Sequence, residues 1–202
     1  MKFIYFDVGG VLDKDFSATN KWDLLINKWG VSEGKKREIK ELFDEFEKEV
    51  CVGRSVEDFV PMMTKKFGVR FLENYSLNKE FVDRFYINQG LEELVLTIKN
   101  KYRLGLLTNM YPGMLDMIRE RNLIPNIEWE IIIDSSVVKC KKPGEEIYKI
   151  AERQAGVKSE EIFFIDNTAE NLVLPKKMGW KTFWFDSYDY EQSNKELGEF
   201  LR

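Results

Sequence analysis

The chain has 202 residues, 44% hydrophobic and 14% aromatic, and its 31 Lys and Arg against 35 Asp and Glu give a formal net charge of −4. That is enough apolar material for one good core plus a small appendage, and it excludes a disordered chain. Scattered cations, a pI near 5.2, two Cys and no His argue against a polyanion-binding surface, a disulfide framework, a zinc site and a His general base.

Residues 3–6, FIYF, read as a strand buried on both faces, with Asp7 at its carboxyl end. Gly9 and Gly10 follow, where a backbone can turn sharply and approach a ligand closely. No run is long enough to span a bilayer and the amino terminus lacks a signal-peptide pattern, so the expectation is a cytoplasmic protein with neither membrane nor nucleic acid as partner. From residue 15 to residue 88 helical periodicity takes over, with helices expected at 20–29, 32–50, 55–67 and 77–88. Ser32 and Ser55 read as N-caps, each followed by acidic residues, and Gly30, Gly53 and Gly68 as helix ends. Phe43, Phe46, Phe59, Met63 and Phe81 fall on the apolar faces of these helices, as core residues would.

Beyond a Leu-rich helix at 91–102, strands and helices alternate. Strands are expected at 103–109, 130–134, 162–166 and 181–185, and helices at 113–121, 144–154, 169–178 and 191–201, with a loop over SSVVKCKKP. Such alternation argues for a parallel sheet with helices on both faces. Three of the later segments end in polar residues able to converge with Asp7. They are Thr108 and Asn109 after LGLLTN, Lys142 before Pro143, and Asp166, Asn167, Glu170 and Asn171 in IFFIDNTAEN. Each has a plainer reading alone: a helix cap, a solvated Lys, another helix cap.

In this order the four motifs resemble the haloacid dehalogenase superfamily over almost the whole chain. The resemblance implies a Rossmann-like α/β core, residues 1–14 and 89–202, with a small all-α cap at 15–88. It also implies a Mg²⁺-dependent phosphatase that hydrolyses a small phosphorylated metabolite, a sugar phosphate on family frequency, through an aspartyl-phosphate on Asp7. Asp7, the Gly9 carbonyl and Asp166 would hold Mg²⁺, with Asn167 or Glu170 steering its waters. Lys142, Thr108 and Asn109 would take the phosphoryl oxygens, and Phe16, Trp22, Tyr75 and Tyr111 are positional candidates for the substrate pocket. Two positions depart from the pattern: the family's general acid two residues after the nucleophile is Gly9, and its Asp-Asp pair is Asp166 and Asn167. Asp13 and Asp15 are candidates to replace the acid. Two other readings remain, a non-catalytic phosphate- or Mg²⁺-binding regulatory relative and a metal-free 2-haloacid dehalogenase. Cys140, close to Lys142, is expected to have a lowered pKa if it is reactive.

Overall fold

In the computed structural model, which describes residues 1–201, the first strand, β1 (Phe3–Phe6), is buried along its whole length. Its alternate side chains serve two cores: Phe3 and Tyr5 belong to one set of buried residues, Ile4 and Phe6 to another. A strand with a two-residue side-chain period and helices on both sides must be apolar throughout.

After β1 come a two-residue strand, β2 (Asp13–Lys14), and four helices, α1 (Lys21–Lys28), α2 (Lys36–Val50), α3 (Phe59–Phe67) and α4 (Leu77–Val82). The chain returns through β3 (Tyr86–Ile87), antiparallel to β2 with Asp13 opposite Ile87 and Lys14 opposite Tyr86. It continues as α5 (Gln89–Ile98), β4 (Arg103–Thr108), α6 (Met114–Glu120), β5 (Ile131–Asp134), α7 (Ser135–Val138), α8 (Glu145–Ala155), β6 (Ile162–Asp166), α9 (Ala169–Lys177), β7 (Lys181–Trp184) and α10 (Tyr190–Leu201). The main sheet is parallel, in the order β5-β4-β1-β6-β7. Leu91, Val95 and Leu197 of α5 and α10 cover the Ile4 face, and Ile147, Tyr148 and Leu172 of α8 and α9 cover the Tyr5 face. The fold is thus Rossmann-like α/β. Strand order reverses at β1, so the carboxyl ends of β1, β4 and β6 border the crevice where such sheets bind ligands.

Local structure departs from the sequence reading at three places. The helix expected over 77–88 stops at Val82, because Tyr86 and Ile87 leave it to pair with β2. Ser32 makes no side-chain cap; a short 3₁₀ turn precedes α2, which starts at Lys36. SSVV, read as loop, is the short helix α7, stabilised by the Ser136 N–H donating to Asp134 Oδ1 at 2.8 Å. The other expected strands and helices are present, with ends shifted by a few residues.

The β2–β3 ribbon buries a carboxyl group. Asp13 is 0% exposed and neither of its oxygens has a hydrogen-bond partner among the described residues. Burial pushes its pKa well above the carboxylate range, and the charges of Asp15 and Asp7 push the same way. A carboxyl whose folded value exceeds its unfolded value costs stability as pH rises from the unfolded value toward the folded one. Asp13→Asn, which cannot ionise, should therefore melt above the wild type by about 2–4 °C at pH 8 and by much less at pH 4.5. Thermal melts at the two pH values measure this; a gap that does not widen with pH would refute it.

Candidate active site

Lys142 lies in the loop between α7 and α8, fully buried, with Nζ 2.9 Å from Asp7 Oδ1 and 2.6 Å from Asp166 Oδ2. The same nitrogen donates to the Leu107 carbonyl at 3.0 Å, so all three ammonium protons are used. Asn109 fixes the loop: its Nδ2 donates to the Lys142 carbonyl at 3.0 Å and its Oδ1 accepts the Lys142 N–H at 2.9 Å. Both ends of that amide are thus committed to backbone.

Asp166 ends β6 with no exposed surface. Besides Lys142, its oxygens accept the Thr168 N–H at 2.7 Å and the Asn171 Nδ2 at 3.1 Å. Asp7 differs. Its Oδ1 takes Lys142 and the Val8 N–H at 2.8 Å, whereas Oδ2 has no partner among the described residues. Burial pushes the Asp7 carboxyl up to about 7, with Lys142 pulling it down and Asp166 pushing it up. Burial alone would depress the Lys142 ammonium, but Asp166 and Asp7 outweigh it and the net shift is upward. The end of β4 contributes Thr108, whose buried hydroxyl lacks any partner. An unsatisfied buried hydroxyl costs about 1–3 kcal/mol, which a ligand oxygen would relieve.

Gly9 has a neighbour that sequence order does not suggest. A Cβ placed on Gly9 would lie 2.7 Å from Asp15 Oδ2. The Asp15 carboxyl thus stands over the turn where a side chain at position 9 would begin, held there by the Ser17 N–H donating to Oδ1 at 2.7 Å. Burial raises its pKa. Gly10, at φ +75°, could carry no Cβ without striking the Asn167 amide. Asn167 donates to Ser187 Oγ at 3.0 Å, and its Oδ1 accepts only a long bond of 3.5 Å from Thr168.

Gly9, Asp13, Asp15 and Asn109 line a cavity of about 310 Å³ whose other walls include Phe16, Trp22, Glu47 and Tyr111. Of the four aromatic residues expected there, Tyr75 is elsewhere: its hydroxyl accepts the Trp29 indole N–H at 2.9 Å within the helical insertion. Glu170 is exposed in the first turn of α9. Burial and Glu146 push the Cys140 thiol up, not down, which removes its claim to reactivity. The sequence reading gave no role to Glu47, although Glu47 shares a face of α2 with buried Phe43, Phe46 and Val50. An acidic residue on an apolar stripe was the available signal.

The donors suit Mg²⁺ only sparsely. Among the described residues no three Asp, Glu, Cys or His side chains gather as a metal site, and Asp166 is spent on Lys142 and Asn171. Asp7 Oδ2, the Gly9 carbonyl and the Asn167 amide oxygen are oxygen donors of the kind a hydrated Mg²⁺ accepts.

The sequence model of the haloacid dehalogenase-like hydrolases matches residues 1–179, whereas no curated protein matches the sequence. In solved structures the fold is similar to a haloacid dehalogenase family enzyme from Bacteroides thetaiotaomicron, at 19% identity and TM-score 0.79 over 94% of this chain and 95% of that one. A further structure of that enzyme, in complex with magnesium and inorganic phosphate, aligns at 18% identity and TM-score 0.74, covering 94% and 96%. The L-2-haloacid dehalogenase PA0810 aligns over 100% of both chains, at 16% identity and TM-score 0.73. The family match, with the buried Lys142 joining the ends of β1 and β6 in a parallel sheet, shows that this chain belongs to the haloacid dehalogenase-like hydrolases.

Proposed function

We propose that this protein is a phosphoric monoester hydrolase working through an aspartyl-phosphate on Asp7. The observation that carries this reading is the Asp15 carboxyl over Gly9. An alkoxide leaving group needs a proton, and a halide does not. A half-buried carboxyl with a raised pKa, aimed at the turn beside the nucleophile, is useful for the first and idle for the second.

Asp7 Oδ2, the uncommitted oxygen, attacks phosphorus in line with the ester oxygen. As the Asp7–phosphorus bond forms, the bond to the alcohol breaks and Asp15 gives its proton to the departing oxygen. In the second step Asp15, now ionised, takes a proton from the water that attacks the acyl phosphate, releasing inorganic phosphate and restoring Asp7. Lys142 holds Asp7 in place and partly offsets the upward push of burial on its carboxyl, and the Thr108 hydroxyl donates to a phosphoryl oxygen. Asp7, Gly9 and Asn167 would hold Mg²⁺, whose positive charge would offset the negative charge of the phosphoryl group. The non-catalytic reading gives no use to the free oxygen of Asp7 or to the proton donor beside it.

Asp7→Asn should abolish p-nitrophenol release from p-nitrophenyl phosphate while the protein stays folded by circular dichroism; activity retained above a few per cent would take Asp7 out of the mechanism. Asp15→Asn should slow alkyl phosphates by roughly 10²–10⁴-fold and aryl phosphates, whose phenolates leave unaided, far less. Gly9→Asp alone should not repair this variant, because the new side chain meets the residue at position 15, but Gly9→Asp with Asp15→Gly should recover alkyl turnover. Equal losses on both ester classes would show that Asp15 donates no proton.

The sparse oxygen set gives a separate expectation for metal. Asn167→Asp adds a second ionisable oxygen ligand and should lower the Mg²⁺ concentration for half-maximal activity several-fold, read from a titration after chelation. A titration that does not move would place Asn167 outside the metal shell, and full activity in chelator would end the Mg²⁺ proposal.

A further inference from the structure

The cavity beside Asp7 combines two kinds of wall. One is acidic: Asp13, Asp15 and Glu47 line it, and no Lys or Arg does among the described residues. Asp13 is wholly buried there with both oxygens unpartnered. The other is aromatic. Phe16, Trp22 and Phe81 meet edge to face, with centroids 5.5 Å apart for Phe16–Trp22, 5.2 Å for Phe16–Phe81 and 5.4 Å for Trp22–Phe81. Ring faces carry negative quadrupole charge, so both walls have the same preference.

Asp13 and Glu47 are the members of this set that the hydrolysis does not use, and of the two Glu47 comes from the helical insertion. It reaches the cavity from α2, in the helical insertion, and accepts a hydrogen bond from the Tyr111 hydroxyl on the loop after β4. Burial raises its pKa, partly offset by Tyr111 and by Lys141, which is close enough to act on it but is not part of the wall. A hydrogen bond to Tyr111 alone needs only an amide. A carboxylate brought from water into an aromatic cavity carries a desolvation cost that a cation would offset.

We infer that the alcohol half of the substrate is a compact cation: the ester is the phosphate of an amino alcohol, its ammonium held by Glu47 and the faces of the neighbouring rings. This rests on the phosphatase reading and adds the substrate class. A cavity of about 310 Å³ holds an alcohol of this size. An anionic alcohol, such as a hydroxy acid, would find no Lys or Arg in the cavity lining among the described residues and is disfavoured. The phosphoryl end of the substrate meets the Thr108 hydroxyl, while its other end meets Glu47 and the rings.

The test compares kcat/KM for three phosphate esters of similar size: choline phosphate, its neutral isostere 3,3-dimethylbutyl phosphate, and the phosphate of 3-hydroxypropionate. The cationic ester should exceed the neutral one by about tenfold or more, and the anionic ester should be the poorest. Glu47→Gln, which keeps a partner for Tyr111, should bring the cationic-to-neutral ratio close to one, chiefly through KM for the cationic ester. Trp22→Leu should reduce the same ratio, so the result does not depend on one variant folding. A wild-type ratio of one or below, or a ratio unchanged in both variants, overturns the inference. Should p-nitrophenyl phosphate be hydrolysed while the cationic ester is not preferred, the substrate class falls and the phosphatase reading stands. Should no ester turn over, p-nitrophenyl phosphate included, both fall together.

Discussion

One ammonium group shared by two buried carboxylates is the constraint on which the rest of the site depends. Lys142, Asp7 and Asp166 come from three separate segments, and each would be costly to bury alone. Charges taken out of water are repaid only where geometry is good and the remaining hydrogen-bonding positions are filled. The chain fills all but Asp7 Oδ2: Leu107, Thr168 and Asn171 satisfy what the ion pairs leave on Lys142 and Asp166, and Tyr148 donates to the Asn171 carbonyl at 2.8 Å. Two carboxylates to one ammonium still leave the cluster short of positive charge. That shortage is what would draw a metal ion and oppose an unaccompanied phosphate dianion, so binding of the two is expected to be mutually dependent.

The three carboxyl groups nearest the nucleophile are held in different environments by the same few residues of backbone. Asp166 is paired and closed off, Asp13 is buried with no partner, and Asp15 is pinned by one N–H with its other oxygen directed at Gly9. Burial raises the proton affinity of both Asp13 and Asp15, which in a site without histidine leaves carboxyl groups able to hold a proton.

Much of this was legible before any coordinates. The unbroken apolar run ahead of Asp7 reads directly as a central strand, because only a two-face-buried strand needs no polar alternation. The order of Asp7, Thr108, Lys142 and Asp166 pointed to one end of the sheet, where the structure brings Asp7, Lys142 and Asp166 into contact, since strand ends in a doubly wound sheet converge whatever their separation in sequence. Other features were hidden for physical reasons. The β2 and β3 strands are two residues each, too short to leave a periodic signal, and the propensity of the flanking helix masked Tyr86 and Ile87. Asp13 and Asp15 could be named together as replacement acids but not separated, because their difference arises from the turn that folds residue 15 back over residue 9. Asn109 looked like a ligand for phosphate, while its amide fits the two backbone groups of Lys142 well enough to be consumed by them.

The short β2–β3 ribbon has a consequence for how this architecture can change over evolutionary time. It is the pair of strands through which the chain enters and leaves the helical insertion, and Asp15 follows it immediately, on the insertion's side. A scaffold that keeps its whole catalytic set on the sheet can exchange one insertion for another and keep its chemistry. With Asp15 as the proton donor, the seam between the two parts runs through the reaction centre. Replacing the insertion would remove the donor along with the pocket, and recovering it would require a new acid at Gly9. Such a lineage would have to diversify its substrates by small changes to the existing pocket walls, with wholesale replacement of the module closed to it.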